Sequence, residues 1–215
     1  MADTAPAIRG LIFDFGGVLW DMRWDVTRQL EEEHGLRARA ILETLYAGDV
    51  WRQIEVGVGA REDWLRGAHE QLESIAGKPL PPLHQHWRER QHLITPNIDL
   101  IRELRKSYKT AVLSNADSTL PQRLRDIGIH DLFDVIVCSA EVGLAKPEPR
   151  IYAIAAGQIG LPPEECVFID DLESNVQAAR DAGMQGICFR VDAEDRLDAQ
   201  LEALGVSAGS DMLRA

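Results

Sequence analysis

Apolar residues are patterned in two ways along this chain. Short strand-type runs lead into polar residues: Ile8 to Phe13 before Asp14, Thr110 to Leu113 before Ser114 and Asn115, and Val167 to Ile169 before Asp170. Val135 to Cys138 and Ile187 to Phe189 are runs of the same kind. Between them the spacing turns helical. Ile98, Ile101 and Leu104 share one face, Val176, Ala179 and Gly183 another, and Leu197, Leu201 and Leu204 a third. Strands of this buried type, separated by helices, predict a doubly wound α/β core: a parallel sheet with helices on both faces.

The alternation fails between Trp20 and Leu93. Ile41, Leu42, Leu45 and Tyr46 form one apolar face there, and Trp64, Leu65, Ala68 and Leu72 form another. Breaks fall at Gly57-Val58-Gly59 and at Gly77-Lys78-Pro79-Leu80-Pro81-Pro82. All five tryptophans (Trp20, Trp24, Trp51, Trp64 and Trp87) lie in this stretch. The shift predicts a small helical cap domain over 20–93, inserted into a core made of 1–19 and 94–215. The tryptophans anchor the insert's own core in this reading, with one or two facing the cleft. His84, His86 and His92 are read as surface residues, and the tail after Gly205 as frayed.

Composition narrows the partners. The 215 residues include 23 Lys+Arg and 35 Asp+Glu, a formal net charge of −12, with 45% hydrophobic and 27% charged residues. This is globular usage, and so acidic a chain lacks the basic surface that nucleic acids require. Cys138, Cys166 and Cys188 show no paired spacing and read as small buried apolar residues. The opening MADTAPAIRG has no basic and apolar leader pattern, and no run reaches the 18 or so apolar residues of a membrane span. A cytoplasmic protein without a membrane partner is expected. No heptad pattern speaks to its oligomeric state.

In open α/β sheets, ligands bind beyond the carboxyl ends of the strands. Asp14, Ser114 with Asn115, and Asp170 with Asp171 stand at such ends, and Lys146 follows the Val135 to Cys138 run. Together they offer a nucleophile or metal ligand, hydroxyl and amide donors, a cation and further carboxylates. Phosphoryl transfer uses such a set. Each residue also has a plainer reading. Asp14 precedes Gly16-Gly17 as turn chemistry would, and Ser114 and Asp171 are good helix-capping types. Lys146 and Asn175, taken singly, read as solvated surface groups.

Order and context decide between these. FDFGGVL (Phe13 to Leu19), LSN (Leu113 to Asn115), GLAKPEPRIY (Gly143 to Tyr152) and FIDDLESNVQAARDAGM (Phe168 to Met184) resemble, in order, the four motifs of the haloacid dehalogenase-like (HAD) hydrolase superfamily. Within it the chain is most similar to sugar-phosphatase-like members and the phosphatase domain of soluble epoxide hydrolases. The resemblance implies a Rossmann-like core with the Asp14 strand in the middle of the sheet, a cap between the first two motifs, and Mg²⁺-dependent hydrolysis of a small phosphorylated metabolite. It implies that Asp14 takes the phosphoryl group as an aspartyl phosphate. Ser114 and Asn115 would bind the phosphoryl oxygens and Lys146 would balance their charge. Asp14, Asp171 and the carbonyl of Gly16 would bind the metal, with Asp170 orienting a metal-bound group and Asn175 steadying the site from behind.

One position departs from the pattern. Most phosphatases of the family carry a second Asp two residues after the nucleophile, as general acid and base; here that residue is Gly16. Such help is worth about 10²–10⁴-fold, against enhancements for phosphate monoesters that reach about 10²¹-fold. The reading is therefore a slow or selective phosphatase, with Asp21, Asp25, Asp49 and Glu55 of the insert as candidate replacements. Two alternatives stand beside it. A 2-haloacid dehalogenase needs no leaving-group acid, and a catalytically idle phosphate-binding protein needs none either.

Overall fold

The computed structural model describes residues 7–208. The expectations for most of the first ten residues and for the tail beyond 208 fall outside them. The strands are β1 (Gly10–Phe13), β2 (Trp20–Asp21), β3 (His92–Leu93), β4 (Lys109–Ser114), β5 (Val135–Cys138), β6 (Cys166–Asp170) and β7 (Gln185–Cys188). Five of them form one parallel sheet in the order β5-β4-β1-β6-β7, so β1 is the middle strand. The helices are α1 (Trp24–His34), α2 (Ala40–Tyr46), α3 (Asp49–Ile54), α4 (Arg61–Ala76) and α5 (Leu83–Arg88), then α6 (Thr95–Leu104), α7 (Leu120–Asp126), α8 (Ser139–Val142), α9 (Pro149–Ile159), α10 (Glu173–Asp181) and α11 (Leu197–Glu202).

Strand periodicity sorts the core into two layers. Leu11 and Phe13 of β1 point to the side of α6, α7 and α11, where Ile98, Leu124 and Leu201 are buried. Ile12 points to the other side, against Ile151 and Ala155 of α9. Phe13 pairs with Val112 of β4 and Ile169 of β6, and the Asp14 amide donates to the Ile169 carbonyl at 2.8 Å. That register brings Asp14, Ser114 and Asp170 to one edge of the sheet.

Helices α1 to α5 pack round a separate apolar cluster that includes Ile41, Leu45, Leu72, Leu83 and Trp87. Helices this short are marginal alone, and about 1.5–3 kcal/mol per buried large side chain is what holds them. Glu31, buried in α1, accepts hydrogen bonds from the Arg39 and Ile41 amides, both at 2.9 Å, and so tethers the start of α2.

Several expectations are corrected. The 20–93 stretch is not helical throughout: β2 and β3 pair antiparallel, Trp20 with Leu93, which joins the two crossings between core and insert. His84 is buried and its Nε2 lies 3.3 Å from the Thr44 hydroxyl, because α5 turns the face carrying Leu83, His84 and Trp87 inward. Gly183 lies past the end of α10 in a left-handed turn (φ 95°). Val206 is buried in the core, so the chain does not fray at Gly205. Cys138 and Cys166 are buried thiols and Cys188 is half-buried; all three are unpaired. No helix of the described residues is long and apolar enough to cross a membrane.

Candidate active site

Lys146 is the centre of the site. Its Nζ is 2.9 Å from Asp14 Oδ1 and 2.6 Å from Asp170 Oδ2, with all three side chains buried. Against burial, which lowers it, the two carboxylates hold the lysine well above its ordinary pKa. The segment bearing Lys146 is fixed by Asn115, whose Oδ1 accepts from the Lys146 amide at 2.8 Å and whose Nδ2 donates to the Lys146 carbonyl at 2.9 Å. The Asn115 side chain thus positions the lysine.

Asp170 is saturated. Oδ1 accepts from the Leu172 amide at 2.8 Å, Oδ2 from Lys146, and Asn175 Nδ2 donates to both oxygens at 3.1 Å. Asn175 is held in turn by the Tyr152 hydroxyl, which donates to its carbonyl at 2.9 Å. Asp14 and Asp171 are different. Asp14 Oδ1 has its ion pair with Lys146 but no hydrogen-bond donor aligned on it. Asp171 makes no ion pair among the described residues. Burial is the main cause that lifts the Asp14 carboxyl to about 6, with Lys146 opposing and Asp170 adding. Burial, then Asp14 and Asp170, lifts Asp171 to about 7.

Oxygens of Asp14, Asp170 and Asp171 lie within 4.8 Å of one another. One lysine shared by two of three carboxylates leaves negative charge uncompensated, and an all-oxygen donor set suits a hard divalent cation. The donors fit Mg²⁺. Gly17 permits the arrangement: its φ is +76°, and a Cβ there would stand 2.4 Å from Asp171 Oδ2. At Gly16 a Cβ would meet nothing nearer than Met22 Sδ, at 3.4 Å. The missing acid is therefore not excluded by space.

These residues floor a cavity of about 810 Å³ between the sheet edge and helices α1 to α5. Asp14, Ser114, Asn115, Lys146, Asp171 and Asn175 line it, as does Gly16. Four tryptophans also line it (Trp20, Trp24, Trp51 and Trp64), more than the one or two expected. Trp87 is fully buried in the insert's own core. Among the four candidate acids, Asp21 accepts from the Arg23 amide, Asp25 pairs with Arg23, and Asp49 is an exposed partner of Arg52. Glu55 lines the cavity, and its Oε2 accepts from Asn115 Nδ2 at 3.1 Å. Burial raises its pKa. Sequence reasoning passed over Arg61, Arg88 and Arg123, which line the same cavity. On amphipathic helices they carry no local signal.

Comparison with known proteins agrees with this architecture. A family model of the haloacid dehalogenase-like hydrolases matches residues 8–183. A phosphorylated carbohydrates phosphatase of Thermotoga maritima is 31% identical, over 93% of each chain. The sesquiterpene phosphatase astK of Aspergillus oryzae is 30% identical over 83% of this chain and 88% of its own. Among solved structures, the HAD family enzyme bt-2542 of Bacteroides thetaiotaomicron, in complex with magnesium and inorganic phosphate, superposes with a TM-score of 0.69 at 24% identity. That alignment covers 90% of this chain and 99% of the other.

Proposed function

Because the chain belongs to the haloacid dehalogenase-like hydrolases, we propose that it is a Mg²⁺-dependent hydrolase of small phosphomonoesters that works through an aspartyl phosphate on Asp14. The observation that carries this reading is the contrast at the sheet edge. Asp170 has its acceptor sites filled, while Asp14 lines the cavity with its buried Oδ1 anchored on Lys146 at 2.9 Å and no hydrogen bond to its Oδ2 among the described residues. A carboxylate anchored through one oxygen is held in place and leaves the other to react, as a nucleophile must. The relatives whose names record phosphatases of phosphorylated carbohydrates and of sesquiterpenes support the reaction class.

In this mechanism Asp14 attacks phosphorus as the bond to the leaving oxygen breaks. Lys146 and the Ser114 hydroxyl hold the phosphoryl oxygens and balance their charge. Asn115 and Asp170 act on Lys146, the first through its backbone and the second through Nζ. Mg²⁺, held by Asp14, Asp171 and the Gly16 carbonyl, would supply charge neutralisation at the phosphoryl group. Glu55, its carboxyl favoured in the neutral form by burial, gives its proton to the leaving oxygen. It then takes a proton from the water that hydrolyses the aspartyl phosphate.

Residues 20–93 act as the cap over this site, and the β2–β3 pairing sets the position of its two connections. Three unpaired thiols support a reducing compartment such as the cytoplasm. The test is phosphate release from sugar phosphates, nucleotides and an aryl phosphate, with and without Mg²⁺. Release should need the metal and fall at least about 10³-fold in Asp14→Asn. Release that survives Asp14→Asn overturns the assignment.

A further inference from the structure

One part of the cavity has a chemistry that phosphoryl transfer does not use. Arg61 of α4, Arg88 of α5 and Arg123 of α7 all line it. Asp117, which also lines the cavity, pairs with Arg61 at 3.3 Å and accepts from the Thr119 amide at 2.9 Å. Arg88 and Arg123 make no ion pair and no side-chain hydrogen bond among the described residues. The Arg123 guanidinium lies over the Phe15 and Trp20 rings, 4.8 and 4.7 Å from their centroids. A cation–π contact of this kind uses none of its N–H groups, which stay available to donate. The hydroxyl of the half-buried Tyr46, which lines the same cavity, likewise has no hydrogen-bond partner among the described residues.

Half-buried guanidiniums without partners are costly, and most buried polar groups are satisfied. Burial lowers Arg88, and burial with the neighbouring Arg88 brings Arg123 down to about 10. Each cation would gain from an anion placed between them. A chain of net charge −12 has acidic residues to spare. It nevertheless keeps two unpartnered arginines in this cavity, which Trp20, Trp51 and Trp64 also line.

Resting on the phosphatase reading above, we infer that the substrate is a phosphoester with two anionic ends. The phosphoryl group sits at Asp14, an apolar or aromatic body lies along Trp51 and Trp64, and a second anion (a carboxylate or another phosphate) is held by Arg88 and Arg123. The arginines are specificity-determining residues; no bond is made or broken at them.

The experiment uses aryl phosphates matched in leaving group: an aryl ring carrying a neutral propyl chain, a propionate or an ethylphosphonate, plus longer-chain versions of each acid. Wild-type kcat/KM should be at least tenfold higher for one of the acid-tailed esters than for the neutral ester. The carboxylate and phosphonate arms show which anion the site takes. Arg88→Gln and Arg123→Gln should each reduce that preference at least threefold, through KM for the acid. Acid and neutral esters within twofold in the wild type, or a preference unchanged in both variants, overturns the inference.

If no ester releases phosphate, the phosphatase reading fails separately. Quenching of tryptophan fluorescence by the unphosphorylated phenols then decides the second-anion site. Tighter binding of the acid, lost in Arg88→Gln, supports it, and equal binding of acid and neutral phenols overturns it.

Discussion

Two parts of the cavity are built on opposite principles. At the floor, Lys146, Asp170, Asn115 and Asn175 satisfy one another through short contacts, and the strands beneath them are buried on both faces. At the roof, arginines from three helices line the space with little to pair with, beside aromatic side chains. A satisfied network fixes geometry, which a reacting centre needs. An unsatisfied one keeps binding capacity for something outside the protein. The contrast makes the floor expensive to disturb and the roof cheap.

Lys146→Met is the largest test of that difference. It strands two buried carboxylates, and the loss in unfolding free energy should be about 3–5 kcal/mol, read by urea denaturation. Arg88→Gln, which removes a cation with no partner, should change stability by less than about 1 kcal/mol. Equal losses from both would abolish the distinction.

Acid sharpens the comparison, because the insert and the floor titrate in opposite senses. Burial holds the His84 imidazole down at about 4, from an ordinary 6.5. Between those values the unfolded chain takes up the proton and the folded chain does not. Stability from neutral His84 is therefore complete above pH 6.5 and is lost as pH falls toward 4, by about 3 kcal/mol at most. Asp14 and Asp171, raised to about 6 and 7, do the reverse: without metal they weaken the fold as pH rises from about 4 to 7. The difference in unfolding free energy between wild type and His84→Leu isolates the first effect. It should shrink as pH falls from 6.5 to 4, and a difference constant with pH would show that His84 does not resist protonation.

What was legible in the sequence follows from how local each signal is. The strands stand out because both faces are buried, so Val167 to Ile169 needs no context to be read. The floor residues are legible because strand ends and helix starts fix Asp14, Ser114, Asp170 and Asp171 within a few residues of regular structure. β2 and β3 were not, since two residues each, held by their mutual pairing, leave no periodicity. The Asn115 amide looks from its motif like a phosphoryl donor, and its clamp on Lys146 crosses 31 residues of chain. His84 and Arg88 sit on a helix of six residues, too short for a pattern to say which side is buried. The roof is assembled by tertiary contact alone.

Gly16 tests whether the floor is complete. A Cβ there approaches only the end of the Met22 side chain, and Gly16 does not have the positive φ of its neighbour Gly17. Gly16→Asp should therefore fold, and it restores a carboxyl two residues from the nucleophile. For alkyl phosphates, whose leaving oxygen needs a proton, kcat should rise by about 10-fold or more, within the usual reach of acid–base help. For an activated aryl phosphate it should barely change. Glu55→Gln gives the complementary result: turnover of alkyl esters should drop, and the fall in rate on the alkaline side, where Glu55 loses its proton, should disappear. In the double variant Gly16→Asp/Glu55→Gln the restored acid should recover the alkyl esters, because one proton donor suffices. If Gly16→Asp helps neither ester and Glu55→Gln harms neither, proton transfer does not limit turnover.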